Sequence, residues 1–246
     1  MSQRKEEFIN DEIYHITVRG IDGRDIFIND EDRWRMIFSL YEFNTTKLVT
    51  IRRQREKREK FKQTLRSGLA TAKLEEAMQS DKRNRLIDIL AFVFMPNHIH
   101  LLLRQLKAGG ISGFMQKLGS GYARYFNDKY QRKGHLFQSK FQESHISGDE
   151  YLKTAFVYVH TNPISIIEPG WKEKGVRDPQ AAIKFLEEYR WSSYPDYLGK
   201  KNFPSITERD FGLKIFAGTG ADFESKGIKA IKLFTDIWIK AKTLRY

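Results

Sequence analysis

Two apolar runs dominate the middle of the chain. Residues 86–94 (LIDILAFVF) and 98–104 (HIHLLLR) are separated by the turn-forming MPN. Runs of this length bounded by turn residues predict a β-hairpin whose first strand is buried on both faces. Upstream, residues 13–20 (IYHITVRG) mix β-branched and aromatic side chains and run into Gly20, Asp22 and Gly23, predicting a strand that ends in a turn. Asn29, Asp30 and Asp32 then supply cap-type residues before Trp34, Ile37, Phe38 and Tyr41, whose spacing gives one apolar helical face. Beyond Gly109 and Gly110, the positions Ile111, Phe114, Met115, Leu118, Tyr122, Tyr125 and Phe126 recur at helical spacing, with Lys117, Ser120 and Arg124 on another face. Residues 134–144 (GHLFQSKFQES) read as a loop and strand, and Asp149 is placed to cap a helix over 150–161 that Pro163 helps to stop. The predicted order, β-α-β-β-α-β-α, contains the split βαβ, ferredoxin-like pattern: an α+β fold in which helices cover an antiparallel sheet.

Between the first helix and the hairpin the pattern changes. Residues 45–85 hold few apolar positions and many charged helix formers, which predicts a basic helical insertion outside the core. Between Lys47 and Ile87 there are 13 Lys or Arg against five acids, so eight of the chain's twelve net positive charges fall there. A net charge of +12 biases the protein toward polyanions, nucleic acid first and membrane surface second. The insertion is equally open to two readings, an arm that embraces nucleic acid and a solvated helical pair.

With no cysteine, the chain has no disulfide, no Cys-ligated metal and no thiol nucleophile. The longest apolar run, residues 89–95, is far short of the roughly 20 residues that span a bilayer, and MSQRKEEFIND does not resemble a secretory signal. The expectation is a soluble cytoplasmic, nucleoid-associated protein with no membrane partner.

On a strand, residues i and i+2 point the same way, so His98 and His100 share one face with Leu102 and Arg104, while Ile99, Leu101 and Leu103 pack behind. Two imidazoles so placed suit a divalent metal. The spacing by itself favours the plainer reading, a pair of partly buried histidines near a turn that hydrogen-bond to backbone. His15, His135 and His145 carry no spacing signal and read as structural or surface, and His160 falls on the wrong side of its helix for a ligand.

Taken together, several ordered stretches resemble the HUH single-tyrosine transposases, and within them the REP-associated tyrosine transposases. These are YHITVRG, GRDIF, FVFMPNHIHLLL, YFNDKYQRKGHLFQSKF, YVHTNPI and RWSSYPDYLG, which run from about residue 13 to about residue 199. The resemblance implies a domain over 1–199 that includes the basic insertion at 45–85, followed by a partly helical extension over 200–246. It implies metal-assisted cleavage of single-stranded DNA at or near a hairpin, through a 5′-phosphotyrosine intermediate. Carried over by position, the metal histidines are His98 and His100, the nucleophile is Tyr158, and the third ligand is Asn162, with Mg²⁺ or Mn²⁺ as the ion.

Tyr158 and Asn162 are i and i+4 on one helix face, which brings a phenol and an amide oxygen to one place. Tyr158 can also be read as part of a packing stripe with Tyr151 and Ala155. Candidate phosphate contacts are Arg19, Arg104, Lys117, Arg124 and Lys140. A catalytically silent hairpin- or single-strand-binding protein is the alternative function. An RNA-binding ferredoxin-like protein is a third reading, for which no RNP-type motif is present. The resemblance points to a monomer and leaves a homodimer open. The tail's Ile228, Ile231, Leu233, Phe234 and Ile237 are open to three fates: core packing, covering the cleft, or joining two chains.

Overall fold

The computed structural model describes residues 7–49, 83–138 and 140–242, together with helical positions at 56, 59, 60 and 63. Most of the predicted basic insertion, and with it the arm reading, lies outside the described residues. Four strands, β1 (Ile13–Arg19), β2 (Ile87–Met95), β3 (His98–Gln105) and β4 (Gln142–Ile146), form one sheet in the order β2-β3-β1-β4. Every pairing is antiparallel. With α1 (Asp30–Phe43) between β1 and β2, and α2 (Gly110–Lys129) between β3 and β4, this is the split βαβ order expected from the sequence.

Alternation along the strands divides the molecule into two cores. Tyr14, Ile16 and Val18 of β1 and Ile99, Leu101 and Leu103 of β3 bury against α1 and α2, with Met36, Leu40, Phe114, Leu118 and Tyr122. Helix α1 starts with a reciprocal capping box, in which Asn29 accepts from the Asp32 N–H and Asp32 from the Asn29 N–H. The fully buried Asp32 carboxylate also accepts from Lys129 Nζ at 2.7 Å and from the Tyr125 and Tyr130 hydroxyls at 3.0 and 2.8 Å, tying the start of α1 to the end of α2. These bonds to the charged form hold its carboxyl below the ordinary value against the opposing effect of burial.

The opposite sheet face carries a second helical layer. It comprises α3 (Asp149–Thr161), α4 (Ile164–Ile167), α5 (Trp171–Lys174), α6 (Pro179–Glu188), α7 (Tyr194–Tyr197), α8 (Arg209–Ala217) and α9 (Phe223–Ala241). Leu152, Ala155, Phe156 and Val159 of α3 pack on Ile13, Ala91, Val93 and Leu102 of the sheet. Of the tail's apolar positions, Ile231 is buried in this layer and Ile228 packs against it. The Phe234 ring meets Phe216 at 5.9 Å, and Leu233 and Ile237 are exposed. Among the described residues no helix is long and apolar enough to cross a membrane.

Two boundaries differ from the sequence expectation. Strand β4 begins only at Gln142, because Gln138 and Phe137 instead tie the preceding loop to the end of β1 through Gln138 N–H to Arg19 O and the Gly20–Phe137 bridge. Asp149 does not cap α3: Gly148, at φ +82°, takes that position and Asp149 lies in the first turn, where its charge favours the helix dipole.

The outer edge of β2 is covered by residues 191–193. Phe94 N–H donates to Trp191 O, and Ser193 N–H donates to Phe92 O. Ser193 Oγ meets His160 Nε2 at 2.7 Å, so a fully buried imidazole on α3 locks this edge segment in place. Burial lowers the His160 pKa from 6.5 to about 3. The folded chain therefore excludes a proton that the unfolded chain takes up below pH 6.5, so this stability is complete above that value and is lost as pH falls toward 3. Denaturant unfolding of the wild type between pH 6 and pH 4 should lose stability with a slope steeper by about 1.4 kcal/mol per pH unit than that of His160→Phe.

Candidate active site

The site lies on the sheet face that α3 covers, toward the end of β3 where the hairpin turns. Pro96 O accepts from the N–H groups of Ile26 and Phe27, and Asn97 O from that of Gly20, so the turn is held to the loop after β1. Gly20 is required there, since a Cβ would come within 2.3 Å of Arg24 O. The Asn97 side chain donates through Nδ2 to Gly23 O and presents Oδ1 to His98 Nδ1 at 2.6 Å. With the proton on His98 Nδ1, its Nε2 keeps a lone pair.

His100 lies deeper, buried at 3% exposure. Strand β1 supplies its partners from the same face: His15 Nε2 at 2.9 Å and Thr17 Oγ1 at 3.1 Å from His100 Nδ1. The His15 and His100 rings stack with centroids 5.0 Å apart, and those of His98 and His100 meet edge to face at 4.9 Å. Among the described residues, the buried His100 Nε2 has no hydrogen-bond partner. A buried nitrogen of this kind, on an imidazole whose other nitrogen is oriented, is what a metal-ligating histidine presents.

All three imidazoles are held neutral. Burial is the chief cause, lowering His15 and His98 to about 4 and His100 well below its ordinary value, with the positive charges of Lys172 and, for the latter two, Arg19 adding to it. Neutral imidazoles are the form that binds a metal.

Helix α3 brings the phenol. The Tyr158 ring stands edge-on to both His15 and His100, with centroids 5.8 Å away in each case. One turn on, Asn162 Nδ2 donates to Tyr158 O at 2.7 Å, which leaves Oδ1 as the amide atom available to the site. Pro163 has no N–H, so the helical hydrogen-bond ladder breaks at this point. The chain then passes through α4 and the Gly170 turn, at φ +82°, into α5, where buried Trp171 anchors the segment. Its neighbour Lys172 reaches back to donate to Asn162 Oδ1 at 2.8 Å and to the Tyr158 hydroxyl at 3.1 Å.

Among the described residues no group of three or more His, Cys, Asp or Glu side chains is placed to hold a metal. The donors that fit one are His98 Nε2, the orphaned His100 Nε2 and Asn162 Oδ1, an imidazole and oxygen set with positions left for phosphate and water.

The five basic residues expected to touch phosphate do not gather. Arg19 ends β1 close enough to His98 to influence its protonation, and Lys140 stands just before β4, in the loop that Gln138 ties to Arg19. Arg104 points to the site's face from the far end of β3, but its Nε donates to Asp88 at 3.0 Å and its guanidinium lies 4.2 Å from the centre of the Phe211 ring. Lys117 and Arg124 belong to α2, on the other side of the sheet from the histidines. Lys117 is spent on Thr45 O at 2.6 Å, and Arg124 stands exposed, 3.9 Å from Asp128. Phe137 and Phe141, in the loop that leads to β4, pack against the α1–α2 core.

Four residues of the site were not picked out from the sequence: His15, Thr17, Asn97 and Lys172. For the first two a signal was present, since His15, Thr17 and Arg19 alternate on β1 as His98 and His100 do on β3. The pairing of β1 with β3 gives that alternation its meaning. Lys172 offers no local signal, lying 14 residues and two turns beyond Tyr158.

Residues 47–162 match the family described as "Transposase IS200 like". One solved structure, of a REP-associated tyrosine transposase bound to a REP hairpin, is similar at 16% identity and a TM-score of 0.46, covering 85% of this chain and 94% of its own. No curated protein matches. Residues 47–162, the stretch that carries His98, His100, Tyr158 and Asn162, are thus similar to the IS200-like transposases.

Proposed function

We propose that the protein is a metal-dependent single-strand DNA endonuclease and transesterase that acts at or near hairpin DNA through a 5′-phosphotyrosine intermediate. The observation that carries this reading is the meeting of the Tyr158 phenol with two neutral histidines, one of which has a buried Nε2 without a partner. A packing tyrosine has no need of such neighbours, and Tyr158 is partly open to solvent.

His98, His100 and Asn162 would hold the ion, Mg²⁺ or Mn²⁺ given the mixed nitrogen and oxygen donors. When bound, it would supply Lewis-acid polarisation of the scissile phosphate. The protein's own groups do the rest. Asn97 fixes the His98 ring, His15 and Thr17 fix that of His100, and the helical turn from Tyr158 to Asn162 sets the phenol beside His100. Arg19 at the rim offers a positive charge to the DNA backbone, a contact that positions a strand without reading its sequence. In the reaction, the Tyr158 oxygen forms a bond to phosphorus and the bond from phosphorus to the 3′ oxygen breaks. The phenolic proton passes to solvent, and the departing 3′ oxygen takes up a proton. The domain division at residue 199 belongs to this reading, with α8 and α9 as the extension that backs α3.

Incubated with Mn²⁺ and a labelled pool of single strands, each carrying a hairpin with randomised flanks, the wild type should form a covalent adduct stable to denaturation, and Tyr158→Phe should form none. An adduct that persists in Tyr158→Phe contradicts the assignment of the nucleophile. Binding without an adduct in the wild type supports the alternative, a catalytically silent hairpin-binding protein. His15→Ala removes a partner of the His100 ring and should lower Mn²⁺ affinity, measured by calorimetry, by about 10-fold or more with little change in thermal midpoint. Unchanged affinity would remove His15 from the site's support.

A further inference from the structure

We propose that Lys172 is a catalytic residue, whose ammonium stabilises the negative charge left on the Tyr158 oxygen as its proton departs in the attack on DNA. This inference rests on the strand-transfer reading above and deepens it.

An exposed lysine is ordinarily a solvated charge with its long side chain disordered among rotamers. Lys172 is exposed, yet its ammonium donates to two oxygens of the site, the Tyr158 hydroxyl at 3.1 Å and Asn162 Oδ1 at 2.8 Å, and stands 4.4 Å from the centre of the phenol ring. Among the described residues its hydrogen bonds are to these two groups, and it forms no ion pair with a carboxylate. Its charge is therefore not neutralised by an acid and is directed at the phenol.

The backbone makes this placement repeatable. Trp171 is buried at 3% exposure in the α3 layer, and the Glu168 carboxylate accepts from the N–H groups of Arg177 and Asp178 at 2.9 and 3.2 Å. The segment that carries Lys172 is thus held at both ends.

A cation fixed beside an oxygen that becomes more negative is worth most when it needs no reorientation as the charge develops. Lys172 meets that condition for the nucleophile. As the Tyr158 oxygen releases its proton to solvent and bonds to phosphorus, the ammonium compensates the negative charge that proton loss leaves on the oxygen. In rejoining, a 3′ hydroxyl attacks the phosphotyrosine and loses its proton to solvent, the bond from the phenolic oxygen to phosphorus breaks, and the same ammonium stabilises the departing phenolate until it takes up a proton. Cleavage and rejoining should depend on Lys172 equally.

The test is single-turnover adduct formation with a strand that the wild type cleaves, in Lys172→Met and Lys172→Arg. Lys172→Met should slow adduct formation about 100-fold and slow rejoining by the same factor, with strand affinity changed less than about 3-fold and the thermal midpoint unchanged. Lys172→Arg, which keeps the charge, should recover a large part of both rates. A strand with sulfur in place of the bridging 3′ oxygen leaves without needing a proton, and it should show the same loss in Lys172→Met. Rescue by the sulfur would place Lys172 at the leaving group and overturn the assignment. Wild-type rates in Lys172→Met, with the adduct still on Tyr158, would overturn it while leaving the strand-transfer reading intact. A wild type that forms no adduct on any strand overturns both.

Discussion

Strand β3 is hydrogen-bonded on both edges, to β2 and to β1, and this double pairing is the constraint on which the site depends. Its alternation cannot slip by one residue without sending Ile99, Leu101 and Leu103 out of the α1–α2 core and driving two imidazoles into it. The apolar residues therefore hold the histidines in place. His98 and His100 must face α3, and the depth at which β3 lies keeps their rings neutral. The antiparallel register then sets Thr17 opposite His100, and brings His15 within reach of the same ring.

The second half of the site comes from how α3 ends. Proline at 163 breaks the helical ladder, the Asn162 amide turns back on the Tyr158 carbonyl, and the chain returns through α4 to deliver Lys172. The helices behind α3 support it: α8 and α9 bury Leu213, Ile231 and Ile239 in its layer, and His160 ties it to the segment along β2. A phenol on this helix is thus fixed against the sheet by packing on its other faces, which suits a reaction that asks for a nucleophile and a phosphate to be held together.

Much of this was legible in the chain. The hairpin of β2 and β3, both helices of the split βαβ unit, and the face shared by His98 and His100 follow from periodicity alone, because burial imposes a period of two or 3.6 on the residues themselves. What escaped was set by contacts between distant segments. His15 stood in a strand already recognised, but its neighbour on β3 is known only once the register is fixed. Lys117 and Arg124 share a polar helix face, and nothing local says which side of the sheet that helix covers. Asp149 looked like a cap, and the φ of +82° at Gly148 gave that position to glycine. The choice of Tyr158 among 11 tyrosines came from family resemblance rather than from spacing.

The central claim is that one phenol, held beside two neutral histidines, joins itself to DNA. It is tested most directly by mass spectrometry of the trypsin-digested protein after reaction with a cleavable strand. Cleavage after Lys153 and Lys172 yields a peptide over 154–172 whose one tyrosine is Tyr158. The account predicts that this peptide carries the 5′-phosphoryl end of the DNA, with fragmentation locating the added mass on Tyr158. The same mass on a peptide that contains Tyr122, Tyr125 or Tyr130, or a cleaved strand with no peptide attached, would contradict it.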